Sequence, residues 1–209
     1  MKAKLGVILM VIGAVLITSA LGLFLYNEQE QRQAADAVDE LMPQVVDMIH
    51  DRQDASQKDP AGAEGGTEIL APQLQDKQMP VVEIDGYGYI GFVGIPALGL
   101  ELPVMADWSY PQLKISPCRF AGDTYSDDFV IMAHNYIQHF GYLHDLRVGD
   151  SVTFIDMDGV TTEYEVVAMD VLEPGAVEEM TAGDYDLTLF TCTYGGQSRV
   201  TVRCDRIDT

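Results

Sequence analysis

The stretch "LTLFTCTYGGQSRVTVRC", Leu187 to Cys204, decides the fold. Two runs of β-forming residues flank Gly195-Gly196, the pattern of antiparallel strands joined by a turn that needs left-handed backbone. The first run ends in a lone thiol, Cys192, and the second begins with a cation, Arg199. Neither residue is needed to make a turn. Alternation puts Arg199 and Arg203 on one face of the second strand, with Arg199 nearer the turn. If the strands pair as a hairpin, Cys192 and Arg199 meet near its mouth.

The same texture extends upstream to Val81. "YGYIGFVGI", "LELPVM", "DDFVIMAHN" and "DSVTFIDMDGVTTEYEVVAMDVLE" are short β-branched or aromatic runs separated by turn residues. Asp158-Gly159 sits between two alternating runs and reads as a two-residue hairpin. Its "DMDG" context lacks the ligand spacing and distal Glu of a calcium loop. Many short strands and few helical runs define a mainly β barrel or sandwich spanning 81–209, large enough to bury its own core.

The N-terminus is of another kind. Leu5 to Tyr26 is an uncharged run of 22 residues, which as a helix spans a bilayer core of about 30 Å. Lys2 and Lys4 precede it and "NEQEQ" follows, so the positive-inside rule puts the N-terminus in the cytosol and the rest outside, a single-pass topology. A cleaved signal peptide has a shorter apolar region and a small-residue cleavage site, which "LGLFLYNEQE" does not offer. The chain is therefore expected to comprise a cytoplasmic tip and membrane anchor (1–26), a helical stalk and flexible linker (27–80), and the β domain (81–209). Val38, Leu41, Val45 and Met48 or Ile49 carry helical periodicity through the stalk, with Pro43 marking a kink or the start of a second helix. "DASQKDPAGAEGGTE" reads as linker. The stalk either holds the domain away from the membrane or packs against it.

Charge excludes one class of partner. With 12 Lys and Arg against 33 Asp and Glu, the net charge is −21; no clustered cations are left to bind nucleic acid, and the same balance disfavours docking onto anionic lipid. The three cysteines, Cys118, Cys192 and Cys204, form an odd set that fits neither a zinc pattern nor a C-x-x-C pair. If two of them pair, Cys118 with Cys204 is the better choice, leaving Cys192 free. A nucleophilic cysteine needs a partner to take its proton. Of the four histidines, His50 lies in the stalk, His139 in a polar loop, and His144 in an apolar-patterned turn. His134 follows the apolar run of "DDFVIMAHN", at a strand end from which a rigid sheet can present a side chain. Arg199 is suited to stabilising the oxyanion of acyl transfer.

At these residues the sequence resembles the sortases, membrane-anchored cysteine transpeptidases of Gram-positive bacteria. "TLFTC" (Thr188 to Cys192), the following "RVTVR" and the upstream "AHN" match the family's T-L-x-T-C signature, its arginine on the next strand and its histidine after an earlier strand. "IGFVGIPALGLELPVM" is similar to the family's opening segment. The resemblance implies an eight-stranded β-barrel with short helices, with Cys192 as nucleophile, His134 as acid/base and Arg199 as the substrate or oxyanion residue. It implies Thr191 and Asn135 as substrate contacts. The substrates it implies are proteins bearing a C-terminal LPxTG-like sorting signal, and the acceptor is an amine from a cell-wall precursor or a pilin lysine. "TCTY" points to class B, and "RVTVRCDR" with "HNYIQHFGYLHDL" to classes C or D. No cofactor or metal is implied for the core chemistry. Calcium is used by some sortases; the sequence leaves it undecided here, with Glu178, Glu179, Asp184 and Asp186 flanking the strand before Cys192 in a chain that is acidic throughout. A non-catalytic peptide-binding barrel and a hydrolase acting through the same thioester are the alternatives.

Overall fold

The computed structural model describes residues 2–58 and 78–207. Most of the expected linker therefore lies outside the described residues. A single helix, α1 (Lys2–Lys58), carries both the apolar run and the periodic segment that follows, with Pro43 inside it. Its first half is long and apolar enough to cross a membrane, and Val7 to Tyr26 present their large side chains to the outside. Its second half lies against the β domain and buries Ala34, Val38, Leu41, Val45 and Ile49. The spacing of these residues is that of one helix face.

Nine strands follow: β1 (Val82–Ile84), β2 (Tyr87–Ile95), β3 (Leu100–Met105), β4 (Cys118–Ala121), β5 (Phe129–Met132), β6 (Ser151–Asp156), β7 (Thr161–Leu172), β8 (Leu187–Cys192) and β9 (Arg199–Arg206). They pair in the order β1-β2-β3-β4-β5-β8-β9-β7-β6, and β6 pairs back onto β2. Eight strands thus close a barrel, while β1 is a short addition to the end of β2. Closure removes the exposed edges that an open sheet of this size would leave. Between β3 and β4 lies the one-turn helix α2 (Tyr110–Leu113), and between β7 and β8 lies α3 (Val177–Met180).

Alternation along the strands separates the core inside the barrel from apolar clusters outside it. Phe129, Ile131 and Ala133 of the β5 strand and its end, Leu187 and Leu189 of β8, and Val202 and Cys204 of β9 point into the barrel. There Phe129 meets Phe154 edge to face at 4.9 Å. On the outer face, Val130 and Phe190 are covered by Met180 of α3, with Phe120 packed alongside. The β5–β8 pair is parallel and buried on both faces, which explains why "TLF" and "FVIM" read as continuous apolar runs.

A hairpin turn forms where the sequence implies one, but its loop is three residues long, 157–159, because the Asp156 N–H donates to the Val160 carbonyl; Gly159 alone takes the left-handed backbone (φ +76°). The Asp156 carboxylate accepts from the backbone N–H groups of Asp158 and Val160 and from the Tyr125 hydroxyl. Its oxygens thus serve the turn.

The structure resolves the conditional cysteine pairing: Cys118, Cys192 and Cys204 are all free. β5 and β8 separate the strands that carry Cys118 and Cys204, and the two side chains belong to different apolar clusters. Burial pushes both thiols up to about 12, which leaves them protonated and inert.

Candidate active site

Strand register brings the site together. In the parallel β5–β8 pair, Met132 lies opposite Phe190. Each chain then runs two residues further to His134 and Cys192, so these two leave the same barrel rim side by side. The same parity puts both on the outer face, beyond Met132 and Phe190. Adjacent strands are about 4.8 Å apart, which sets the scale of the separation between the two backbones. The extension is held by two bonds: the Ala133 N–H donates to the Phe190 carbonyl at 3.2 Å, and the Thr191 hydroxyl donates to the Ala133 carbonyl at 2.9 Å. Thr191 is turned inward and buried. Its hydroxyl fixes the relative height of the two strand ends.

On the other side of β8, Cys192 pairs directly with Arg199. Three neighbouring strands therefore deliver His134, Cys192 and Arg199 to one face of one rim. The loop between Cys192 and Arg199 is closed by mutual bonds of Thr193 and Ser198. Gly195 (φ +84°) and Gly196 (φ +71°) both take the left-handed backbone that other residues resist. The Arg199 guanidinium donates to the Gly196 and Ser198 carbonyls at 3.2 and 3.1 Å. These bonds anchor it at the mouth while engaging only one of its terminal nitrogens.

Arg203 lies on the same face as Arg199 but serves another purpose. It is buried, and it donates to the Thr188 hydroxyl and the Glu179 and Met180 carbonyls. With Asp170 it forms an ion pair at 3.5 Å. It ties α3 to the barrel wall beneath the site.

His134 is oriented by an aromatic face. Its ring stacks on Tyr136 at 4.6 Å and 17°, and among the described residues no carboxylate hydrogen-bonds it. The Tyr136 hydroxyl donates to Glu30 of α1 at 3.4 Å, and Glu30 pairs with Lys114 at 2.6 Å. Burial lowers the pKa of His134, the Lys114 charge lowers it further, and Glu30 opposes both. The imidazole is consequently neutral near pH 7 and able to accept a proton. Asn27 and Glu30 of α1 line a groove together with Asn135, Tyr136, Tyr194 and Gly195. Asn135 thus sits beside the mouth.

The other histidines depart from their sequence expectations. His139 is fully buried and tilted against Tyr136 at 5.5 Å. His144 is exposed beside Asp145. Sequence reasoning missed Glu30, Lys114 and Tyr136. Tyr136 alone had a local signal, as an aromatic residue two positions after the histidine. Of the acidic residues flanking the strand before Cys192, Asp186 accepts from the Arg206 backbone N–H, while Glu178, Glu179 and Asp184 are exposed. Among the described residues no group of three or more His, Cys, Asp or Glu side chains is arranged to hold a metal.

A thiol, an imidazole and a guanidinium on adjacent strand ends are the groups that acyl transfer through a thioester uses. The sortase domain family model matches residues 93–207, just over half of the chain. The chain belongs to the sortase family, whose members are cysteine transpeptidases. Among solved structures, it is similar to sortase C1 from Streptococcus suis, with 29% identity and a TM-score of 0.50 over 58% of this chain and 74% of that one. Sortase C of Streptococcus pneumoniae shares 24% identity with a TM-score of 0.54, over 83% and 97%. A sortase D5 transpeptidase of Clostridium perfringens shares 21% with a TM-score of 0.51, over 57% and 79%. The last two likenesses concern the fold. No curated protein matches the chain.

Proposed function

We propose that this chain is a membrane-anchored sortase that cleaves an LPxTG-like sorting signal at Cys192 and transfers the acyl group to a primary amine. The observation that carries the reading is the matched register of β5 and β8, which sets His134 and Cys192 at equal height on one rim, with Arg199 opposite the thiol.

The steps follow from the three groups. His134 takes the proton of the Cys192 thiol, and the sulfur adds to the Thr–Gly carbonyl of the signal. Arg199, anchored at the mouth by its loop, stabilises the oxyanion or holds the peptide carbonyl. As the C–N bond breaks, the imidazolium returns its proton to the leaving glycine amine, and a thioester remains on Cys192. An acceptor amine then adds to the thioester, His134 takes the amine's proton, and the thiolate leaves. Asn135, at the groove, contacts the peptide. Thr191 contributes by fixing the strand ends. A lysine of a pilin subunit and the amine of a cell-wall precursor are the two acceptors this chemistry admits, and the likeness to a class C sortase supports the first. The apolar half of α1 acts as the anchor, with the N-terminus in the cytosol and the barrel outside.

The test uses the full chain in lipid nanodiscs, wild type beside Cys192→Ala. Each is incubated with LPxTG-like peptides, with and without a lysine-bearing pilin peptide or an oligoglycine amine. Mass spectrometry should detect a thioester adduct on Cys192 and an amine-linked product in the wild type only. Cleavage without transfer to either amine points to hydrolysis. A folded chain that forms no adduct with any peptide points to a binding module.

A further inference from the structure

The continuity of α1 fixes where the catalytic rim stands. Glu30 is four residues past Tyr26, the last residue of the apolar run, which is about 6 Å along a helix axis. The headgroup layer on each side of a bilayer is about 5–8 Å deep. A helix tilt of about 20° changes that height by less than 1 Å. At this level the Tyr26 hydroxyl donates to Glu30 at 2.7 Å, and Glu30 holds Lys114 and Tyr136 of the β domain. The loop after Cys192 shares a groove with Asn27, one residue beyond the apolar run. At the tip of that loop Tyr194 is 97% exposed, a large amphipathic ring with almost nothing covering it. Tyrosine at this depth is the residue type that partitions into a headgroup layer.

The other end of the barrel is far away. Arg52 of α1 pairs with Asp158 in the β6–β7 turn at 2.6 Å, and 22 residues separate Glu30 from Arg52, about 33 Å of helix. The carboxylates in the first turn past the apolar run are both paired, Glu28 with Arg32 and Glu30 with Lys114.

We propose that the catalytic mouth docks on the phospholipid surface, with Tyr194 seated among the headgroups, so that peptide and acceptor reach Cys192 along the bilayer plane. The inference rests on the reading of Leu5–Tyr26 as a membrane span. It turns the expected spacer into a strut that holds the active site down.

Trp108 is the only tryptophan in the chain, so one substitution clears the background. Trp108→Phe keeps an aromatic ring against Phe120. Into that background go Tyr194→Trp or, as the distal control, Val160→Trp beside the Asp158-Gly159 turn. Each full chain is reconstituted in phosphatidylcholine/phosphatidylglycerol nanodiscs carrying lipids brominated high on the acyl chain. The proposal expects several-fold stronger quenching of Trp at 194 than at 160, with a blue-shifted emission at 194 only. Equal, weak quenching at both positions in chains that co-purify with the disc overturns the docking while leaving the span intact. Failure to incorporate into discs overturns the span and the docking with it, and transpeptidation in detergent would still report on Cys192 separately.

Discussion

The two ends of the barrel are clasped by the same helix through the same kind of bond, yet they do different work. At one end Arg52 meets Asp158 at 2.6 Å across two half-exposed side chains. The turn there is already complete, because Asp156 satisfies its backbone. At the other end the Glu30–Lys114 pair, also at 2.6 Å, continues through the Tyr136 hydroxyl to a ring stacked on His134. Equal geometry therefore carries unequal consequence. The distal clasp adds a surface ion pair worth at most about 1 kcal/mol, whereas the proximal clasp connects the helix to the His134 imidazole.

That contrast can be broken at several points. Cys192→Ala should abolish product formation entirely while leaving the melting temperature near that of the wild type, since the thiol is half-buried and outside the apolar clusters. Any turnover above background would place the nucleophile elsewhere. Next in size is His134→Ala, expected to lower kcat/KM by about 10²–10⁴-fold, measured with a fluorogenic sorting peptide at pH 7. A loss below tenfold would remove His134 from proton transfer.

The third change concerns stability at the same end. Burial, reinforced by the charge of His134, pulls the His139 pKa down from 6.5 to about 4. Its folded pKa lies below the unfolded one, so the stability it confers is fully present above about pH 6.5 and is lost as pH falls through about 4. The difference of roughly 2.5 pH units corresponds to about 3 kcal/mol. His139→Leu should flatten the fall in melting temperature between pH 7 and pH 4 relative to wild type, and an unchanged slope would contradict the assignment.

A smaller effect is expected from Glu30→Gln, a few-fold in kcat/KM at most. Its sharper signature is in pH: Glu30 raises the His134 pKa while Lys114 lowers it. Removing the carboxylate charge should move the acid limb of the pH–rate profile to lower pH. A limb that stays in place would uncouple the helix from the imidazole. The smallest change, Arg52→Ala, should lower stability to urea by less than about 1 kcal/mol and leave the pH–rate profile untouched. A shift in that profile would dissolve the distinction between the two ends.

Much of this molecule can be read from its residues, and the unread part has a physical pattern. The β8–β9 hairpin announces itself because strand alternation and the left-handed turn are local properties of "TCTYGGQSR". His134 was recognisable because a polar residue ending an apolar run marks a strand end. Glu30 and Lys114 left no such mark: they lie 84 positions apart, and an amphipathic stripe looks the same whether it packs on a barrel or on another helix. The stalk's two possibilities stayed open for that reason. His139 was misjudged because polar neighbours in sequence say little about a loop that folds back, where the His139 N–H donates to the Tyr136 carbonyl. Whether any cysteines pair stayed open in the sequence, since pairing depends on strand order, which spacing along the chain does not encode.

The hydrogen bond from Thr191 to the Ala133 carbonyl joins residues 58 positions apart. Parallel pairing of that span closes a long loop before any contact rewards it, which makes it among the slower events of folding. Until β5 and β8 meet, Cys192 is an ordinary thiol on an open chain, with no imidazole at its height and no register to supply one. The rim that groups the thiol, the imidazole and the guanidinium therefore comes into being only with barrel closure, and a chain not yet closed has the thiol without its neighbours.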